Sequence, residues 1–159
     1  MPRHRAAIVT IAVLALAAAA CGPIGGGGES PEGTVSVPGG TPVNVTLSEY
    51  KVETDIANAP AGEVTFHVTN DGPSDAHQFM IILADDLAPD ALPTRDDGSV
   101  DTENGEGVDE MDVIEVIAVG ETKDLTISLE IGDYVLICNM VDNGESHYQE
   151  GMHTAFKVE

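Results

Sequence analysis

Residues 42–159 carry short runs of apolar and β-branched positions punctuated by Gly, Pro, Asn and Asp. Residues 43–52 (VNVTLSEYKV) are rich in β-branched and aromatic side chains, 63–69 (EVTFHVT) alternate, and 78–83 (QFMIIL) are continuously apolar. Alternation marks a strand with one buried face, and a short continuous run marks a strand covered on both. Further strands are predicted over 113–118, 122–129, 133–138 and 154–158, separated by turn residues such as Asn70-Asp71-Gly72-Pro73 and Gly120-Glu121. Seven or eight such strands, with no long amphipathic helix, predict an all-β fold: a Greek-key antiparallel β-sandwich forming one domain over 42–159.

One segment breaks this rhythm. Residues 85–112 (DDLAPDALPTRDDGSVDTENGEGVDEMD) are strongly acidic and longer than ordinary connections. They are expected to form a mostly mobile loop with a short helical turn near 87–92. Asp97-Gly98-Ser99-Val100-Asp101 misses the glycine and glutamate positions of a calcium loop, so calcium is not expected there.

The N-terminus changes the picture of where the domain works. Arg3 and Arg5 precede an apolar run over 6–20 broken only by Thr10, which reads as a secretory signal too short for a comfortable membrane span. The ending Ala18-Ala19-Ala20-Cys21 resembles a bacterial lipobox, with Ala where Leu is usual at its first position. The resemblance implies lipid on Cys21; plain cleavage near Ala20 is the alternative. Residues 21–41 form a Gly-rich tether. The expected location is outward-facing and membrane-anchored, or secreted and soluble in the alternative.

Net charge is −22, and beyond residue 20 only four basic side chains face 28 acidic ones. Nucleic acid is excluded as a partner, because phosphate binding needs Lys and Arg to displace counterions. Direct adhesion to anionic lipid is excluded for the same reason, leaving the N-terminal lipid as the membrane contact. A basic protein partner suits the field, although an acidic coat also serves solubility alone. A monomer is expected.

The two cysteines are Cys21 and Cys138. With Cys21 lipidated, Cys138 lacks a disulfide partner in an oxidising compartment, which invites metal ligation; an inert buried thiol is the plainer alternative. Cys138 ends a predicted strand, and His147 and Met152 follow in the next loop. His77 stands where a loop enters the strand over 78–83. Two imidazoles, a thiolate and a thioether form the donor mixture that suits copper cycling between Cu(I) and Cu(II). His67 reads as a surface or packed strand residue, and Met80 and Met140 as filler. His153 points away from Met152, and His4 leaves with the signal.

These residues resemble the plastocyanin and azurin family of cupredoxins, whose pattern pairs N-x-G…H-x-F with G-x-Y…C…H…G-M. The first stretch occurs as Asn70, Gly72, His77 and Phe79, and the second as Gly132, Tyr134, Cys138, His147, Gly151 and Met152. The resemblance implies equatorial nitrogen ligands at His77 and His147, a thiolate at Cys138 and an axial thioether at Met152. It also implies copper as cofactor, electron transfer to a redox protein partner, and no enzymatic activity. One departure is the eight residues between Cys138 and His147, where family members have about two to four. This length leads to the expectation of a looser, more solvent-accessible site, with Asp142 or Glu145 adding a carboxylate or water ligand. Alternative functions are copper storage or delivery without redox duty, and a metal-free binding module.

Overall fold

The computed structural model describes residues 40–84 and 86–159. The signal over 1–20, the lipidation site Cys21 and nearly all of the tether over 21–41 lie outside the described residues. Among those described there is no helix, so none is long and apolar enough to cross a membrane.

The described residues form eleven strands: β1 (Thr41–Ser48), β2 (Lys51–Thr54), β3 (Asn58–Ala59), β4 (Gly62–Asn70), β5 (His77–Ala84), β6 (Val108–Ile117), β7 (Thr122–Leu129), β8 (Gly132–Ile137), β9 (Val141–Asp142), β10 (Glu145–Ser146) and β11 (His153–Val158). Three of them have two residues each, which leaves the eight longer strands expected. They build a four-stranded sheet ordered β2-β1-β4-β7 and a five-stranded sheet ordered β3-β11-β8-β5-β6, with β9 and β10 paired apart. The chain crosses repeatedly between the two large sheets, as a Greek-key sandwich requires.

Two pairings correct the purely antiparallel expectation. β1 runs parallel to β4, and β11 parallel to β3. After the β1–β2 hairpin the chain visits the opposite sheet through β3 before returning as β4, so β4 enters alongside β1 in the same direction. The predicted single strand over 43–52 is also two, because the chain reverses at Glu49 and Tyr50.

The main core lies between the sheets, where Val43, Val45, Leu47, Val64, Phe66, Val68, Phe79, Ile81, Leu136 and Phe156 are buried together. Each strand contributes every second residue, as pleated geometry dictates. A second cluster occupies the outer face of the five-stranded sheet: Met80, Ile82, Val135 and Ile137 pack against Leu92, Val100, Val108 and Tyr148.

The second cluster explains the unbroken apolar run of β5, and it corrects the reading of the acidic segment. Residues 86–107 are not a loose loop but a third layer over β5 and β8, pinned by buried Leu92 and Val100 and by a bridge between Thr94 and Val100. Its remainder, from Val108 onward, is strand β6 rather than loop. The expected helical turn near 87–92 is a simple turn closed by the Ala91 N–H donating to the Ala88 carbonyl at 2.9 Å.

Candidate metal centre

Four segments meet at one end of the sandwich. β5 begins with His77, and Cys138 sits one residue past the end of β8. His147 follows β10, and Met152 immediately precedes β11. The main chain ties these together: Cys138 N–H donates to the Met152 carbonyl at 3.0 Å, and Met152 N–H to the His147 carbonyl at 2.9 Å.

His77 is held by the loop before it, and that loop is built on Asn70. The fully buried Asn70 side chain donates to the carbonyls of Asp75 (2.8 Å) and Ile117 (2.9 Å) and accepts from Gly72 N–H (2.8 Å). Every polar atom of this buried amide is satisfied, so the loop has one arrangement. Beside it, His77 pairs with Ile117 and Phe79 with Ile114, a register shift that kinks β5 next to the site.

The side chains of His77, Cys138 and His147 converge, with one donor atom of each within 4.8 Å of the others. The two Nδ1 atoms are 3.2 Å apart, and Cys138 Sγ lies 3.4 Å from His147 Nδ1 and 3.9 Å from His77 Nδ1. Imidazole nitrogen at about 2.0–2.1 Å and thiolate sulfur at about 2.3 Å from a common ion, in a trigonal plane, would stand about 3.5–3.8 Å from one another. The triangle is therefore the size of a metal site. Exposure is 0% for His77 and Cys138 and 2% for His147.

Gln78 N–H donates to Cys138 Sγ at 3.2 Å. Burial pushes the Cys138 thiol above its ordinary range, and the amides of Gln78 and Met140 oppose that rise by stabilising the thiolate. Burial also pulls His77 below the ordinary imidazole value, helped by His147 and opposed by Glu49 and Asp75. Both shifts favour the neutral forms, so the His77 ring does not repel a cation, and a metal bound there would displace the proton of the Cys138 thiol.

Met152 enters the same end of the core with its side chain fully buried. His67 lies elsewhere, its Nδ1 2.7 Å from Asp124 Oδ1 across the β4–β7 pair. His153 packs its ring against Tyr148, centroids 5.2 Å apart, beside a polar hollow lined by Asp90, Thr94 and Gln149. Met80 belongs to the outer cluster and Met140 to the edge of the main core.

The long Cys138–His147 segment is neither loose nor open, contrary to expectation. Six of its residues fold as the β9–β10 hairpin around Asn143-Gly144, and His147 N–H closes it onto the Met140 carbonyl at 2.9 Å. Asp142 and Glu145 are exposed on that hairpin and stand outside the cluster. The third layer braces the segment further. Asn139 exchanges two hydrogen bonds with the Val100 backbone (2.6 and 3.1 Å), Ser146 Oγ donates to the Gly98 carbonyl (2.8 Å), and Tyr148 OH donates to the Pro89 carbonyl (2.8 Å) while accepting from Leu92 N–H (3.0 Å).

Sequence reasoning missed the β1–β2 turn, which supplies two neighbours of the site. Tyr50 sets its ring edge-on to His147, centroids 5.3 Å apart, and Glu49 Oε1 lies 3.8 Å from His77 Nε2. Neither residue carries a turn signal, so the run over 43–52 gave no sign of a reversal there.

No family model and no curated protein matches the chain. Among solved structures it is similar to dithionite-reduced auracyanin from the photosynthetic bacterium Roseiflexus castenholzii, with TM-score 0.51 and 15% identity over 75% of this chain and 97% of that one. It is also similar to auracyanin B, with TM-score 0.51 and 18% identity over 79% of this chain and 93% of that one. A likeness at such identities speaks for architecture, and the sandwich, the crossovers and the His-Cys-His end agree with it: the chain has the cupredoxin fold.

Proposed function

We propose that this chain binds one copper ion, which His77, Cys138 and His147 would hold with the thioether of Met152 as a weaker fourth donor, and carries single electrons. The observation that supports this most is the convergence of two buried Nδ1 atoms and one buried Sγ at metal-site spacing. Thiolate favours Cu(I) and imidazole tolerates both oxidation states, so the donor set suits a one-electron couple. Copper held there supplies that couple, and the protein does the rest. The two rings and the sulfur are fixed from β5 and the braced Cys138–His147 segment, while burial excludes water from the sulfur. The amide of Gln78 tempers the charge on the thiolate. Fixed ligands keep reorganisation small as the electron comes and goes, which favours a carrier over an enzyme. That the R. castenholzii auracyanin was studied in a dithionite-reduced state agrees with redox duty in this fold.

The acidic surface suits a basic redox partner, with encounter rates that fall as salt rises. Export and a lipid on Cys21, with the tether over 21–41, would hold the carrier at the outer membrane face while letting it meet partners.

The test is redox cycling. The Cu(II)-loaded chain is reduced with dithionite and reoxidised while visible absorption and bound metal are followed. A carrier loses and regains its colour with copper retained. A colourless protein that releases its metal is a store or delivery protein, and indifference to copper would leave a metal-free module.

A further inference from the structure

The ring of His77 has two ends, and only one faces the metal site. Its Nδ1 belongs to the triangle with Cys138 and His147, while Nε2 points to the opposite side, fully buried and without a hydrogen-bond partner. An imidazole that gives its Nδ1 lone pair to a metal carries its proton on Nε2. A buried N–H in that position calls for an acceptor, and ligating histidines ordinarily have one.

The candidate acceptor is Glu49. Its side chain is 11% exposed, and Oε1 lies 3.8 Å from His77 Nε2, an ion-pair distance beyond hydrogen-bond range. The carboxylate is fixed by the N–H groups of Asp75 (2.6 Å) and Ser74 (3.1 Å), both donating to Oε1. Its other oxygen, Oε2, is buried and has no partner. One orphaned donor position and one orphaned acceptor oxygen therefore belong to two neighbouring side chains in the interior. A carboxylate that accepts two backbone N–H groups is held in its acceptor, anionic form.

Resting on the copper reading above, we propose that Glu49 is a positioning residue: its buried carboxylate receives the Nε2–H of His77, fixes the ring with Nδ1 toward the metal, and favours Cu(II) over Cu(I). An anion behind a neutral ligand makes that ligand more basic and stabilises the more positive ion.

The test uses the full-length chain, copper-loaded, with Glu49→Gln and Glu49→Asp. Glutamine keeps an oxygen for the Ser74 and Asp75 amides but loses the charge, and aspartate keeps the charge on a shorter arm. Glu49→Gln is expected to bind Cu(II) about tenfold more weakly, as loss of a ligand's outer partner commonly does. With Cu(I) affinity unchanged, the tenfold ratio corresponds to a potential about 59 mV higher for a one-electron couple. The thiolate-to-copper band persists, and Glu49→Asp returns part of the way. A potential that does not move in Glu49→Gln while the band is intact overturns the proposal and leaves Glu49 as a fastener of the loop before His77. If Glu49→Gln does not fold, Glu49→Asp decides by the same measure, a smaller upward shift supporting the proposal and none overturning it. A wild-type chain without a thiolate-to-copper band overturns the copper reading itself, an outcome separate from a failure of Glu49.

Discussion

Cys138 Sγ and His147 Nδ1 stand 3.4 Å apart although eight residues separate them in sequence. The hairpin makes this approach compatible with a rigid site. It consumes most of the added length in a reversal whose two central residues, Asn143 (φ 50°) and Gly144 (φ 89°), both occupy the left-handed region. What remains between the two ligands is a short closure on either side of the hairpin base.

The left-handed backbone at Gly144 is therefore a structural requirement, and space is not. A Cβ there would meet nothing within 4 Å. Gly144→Val is expected to destabilise the metal-free chain by about 1–2 kcal/mol through backbone strain alone. Urea denaturation measures it, and a loss of only a few tenths would mean that the turn does not depend on that conformation.

The third layer should be as necessary as the sheets beneath it. Tyr148 OH is the only side-chain group joining both Pro89 and Leu92 in the hydrogen bonds described above, and the ring fills the outer cluster. Tyr148→Phe keeps the ring but leaves a buried N–H and carbonyl without their partner, at about 1–3 kcal/mol. Hydrogen exchange at the Leu92 amide should accelerate in step with that loss. Unchanged exchange would contradict the bracing role.

Most of the sandwich could be read from the chain because the alternating and continuous apolar runs are local signals. β7 falls on the residues expected, and β5 and β8 differ by one or two at their ends. The continuous run in β5 also announced two covered faces, but nothing local said what covers the outer one. That cover depends on Leu92 and Val100, two apolar residues within an acidic stretch whose composition argues for mobility. His77, Cys138 and His147 were legible by residue type. Their bracing was not, because Asn139 finds Val100 only through tertiary structure, 39 residues away. The Asn143-Gly144 pair is a local hairpin signal that the reading of the extra length as slack left unused.

Alkaline pH gives a test of the core that does not involve the metal. Tyr134 is raised above the ordinary tyrosine value, first by burial, while its OH donates to the Glu130 carbonyl at 2.9 Å. Folded Tyr134 thus holds its proton to higher pH than unfolded Tyr134. Its stabilising contribution is whole below about pH 10, the unfolded value, and is lost as pH rises from there toward the folded value. Denaturation midpoints of the metal-free chain should fall above about pH 10, and Tyr134→Phe should fall less steeply. Parallel declines would show that this tyrosine is not the group responsible.

The central claim is that Cys138, His77 and His147 together hold a copper ion through a thiolate bond. It is tested most directly by adding one equivalent of Cu(II) and recording visible absorption and electron paramagnetic resonance beside a Cys138→Ser control. The account predicts an intense thiolate-to-copper band with narrowed copper hyperfine splitting, both absent from the control. A wild-type chain with no such band, or a band that survives in Cys138→Ser, would contradict it.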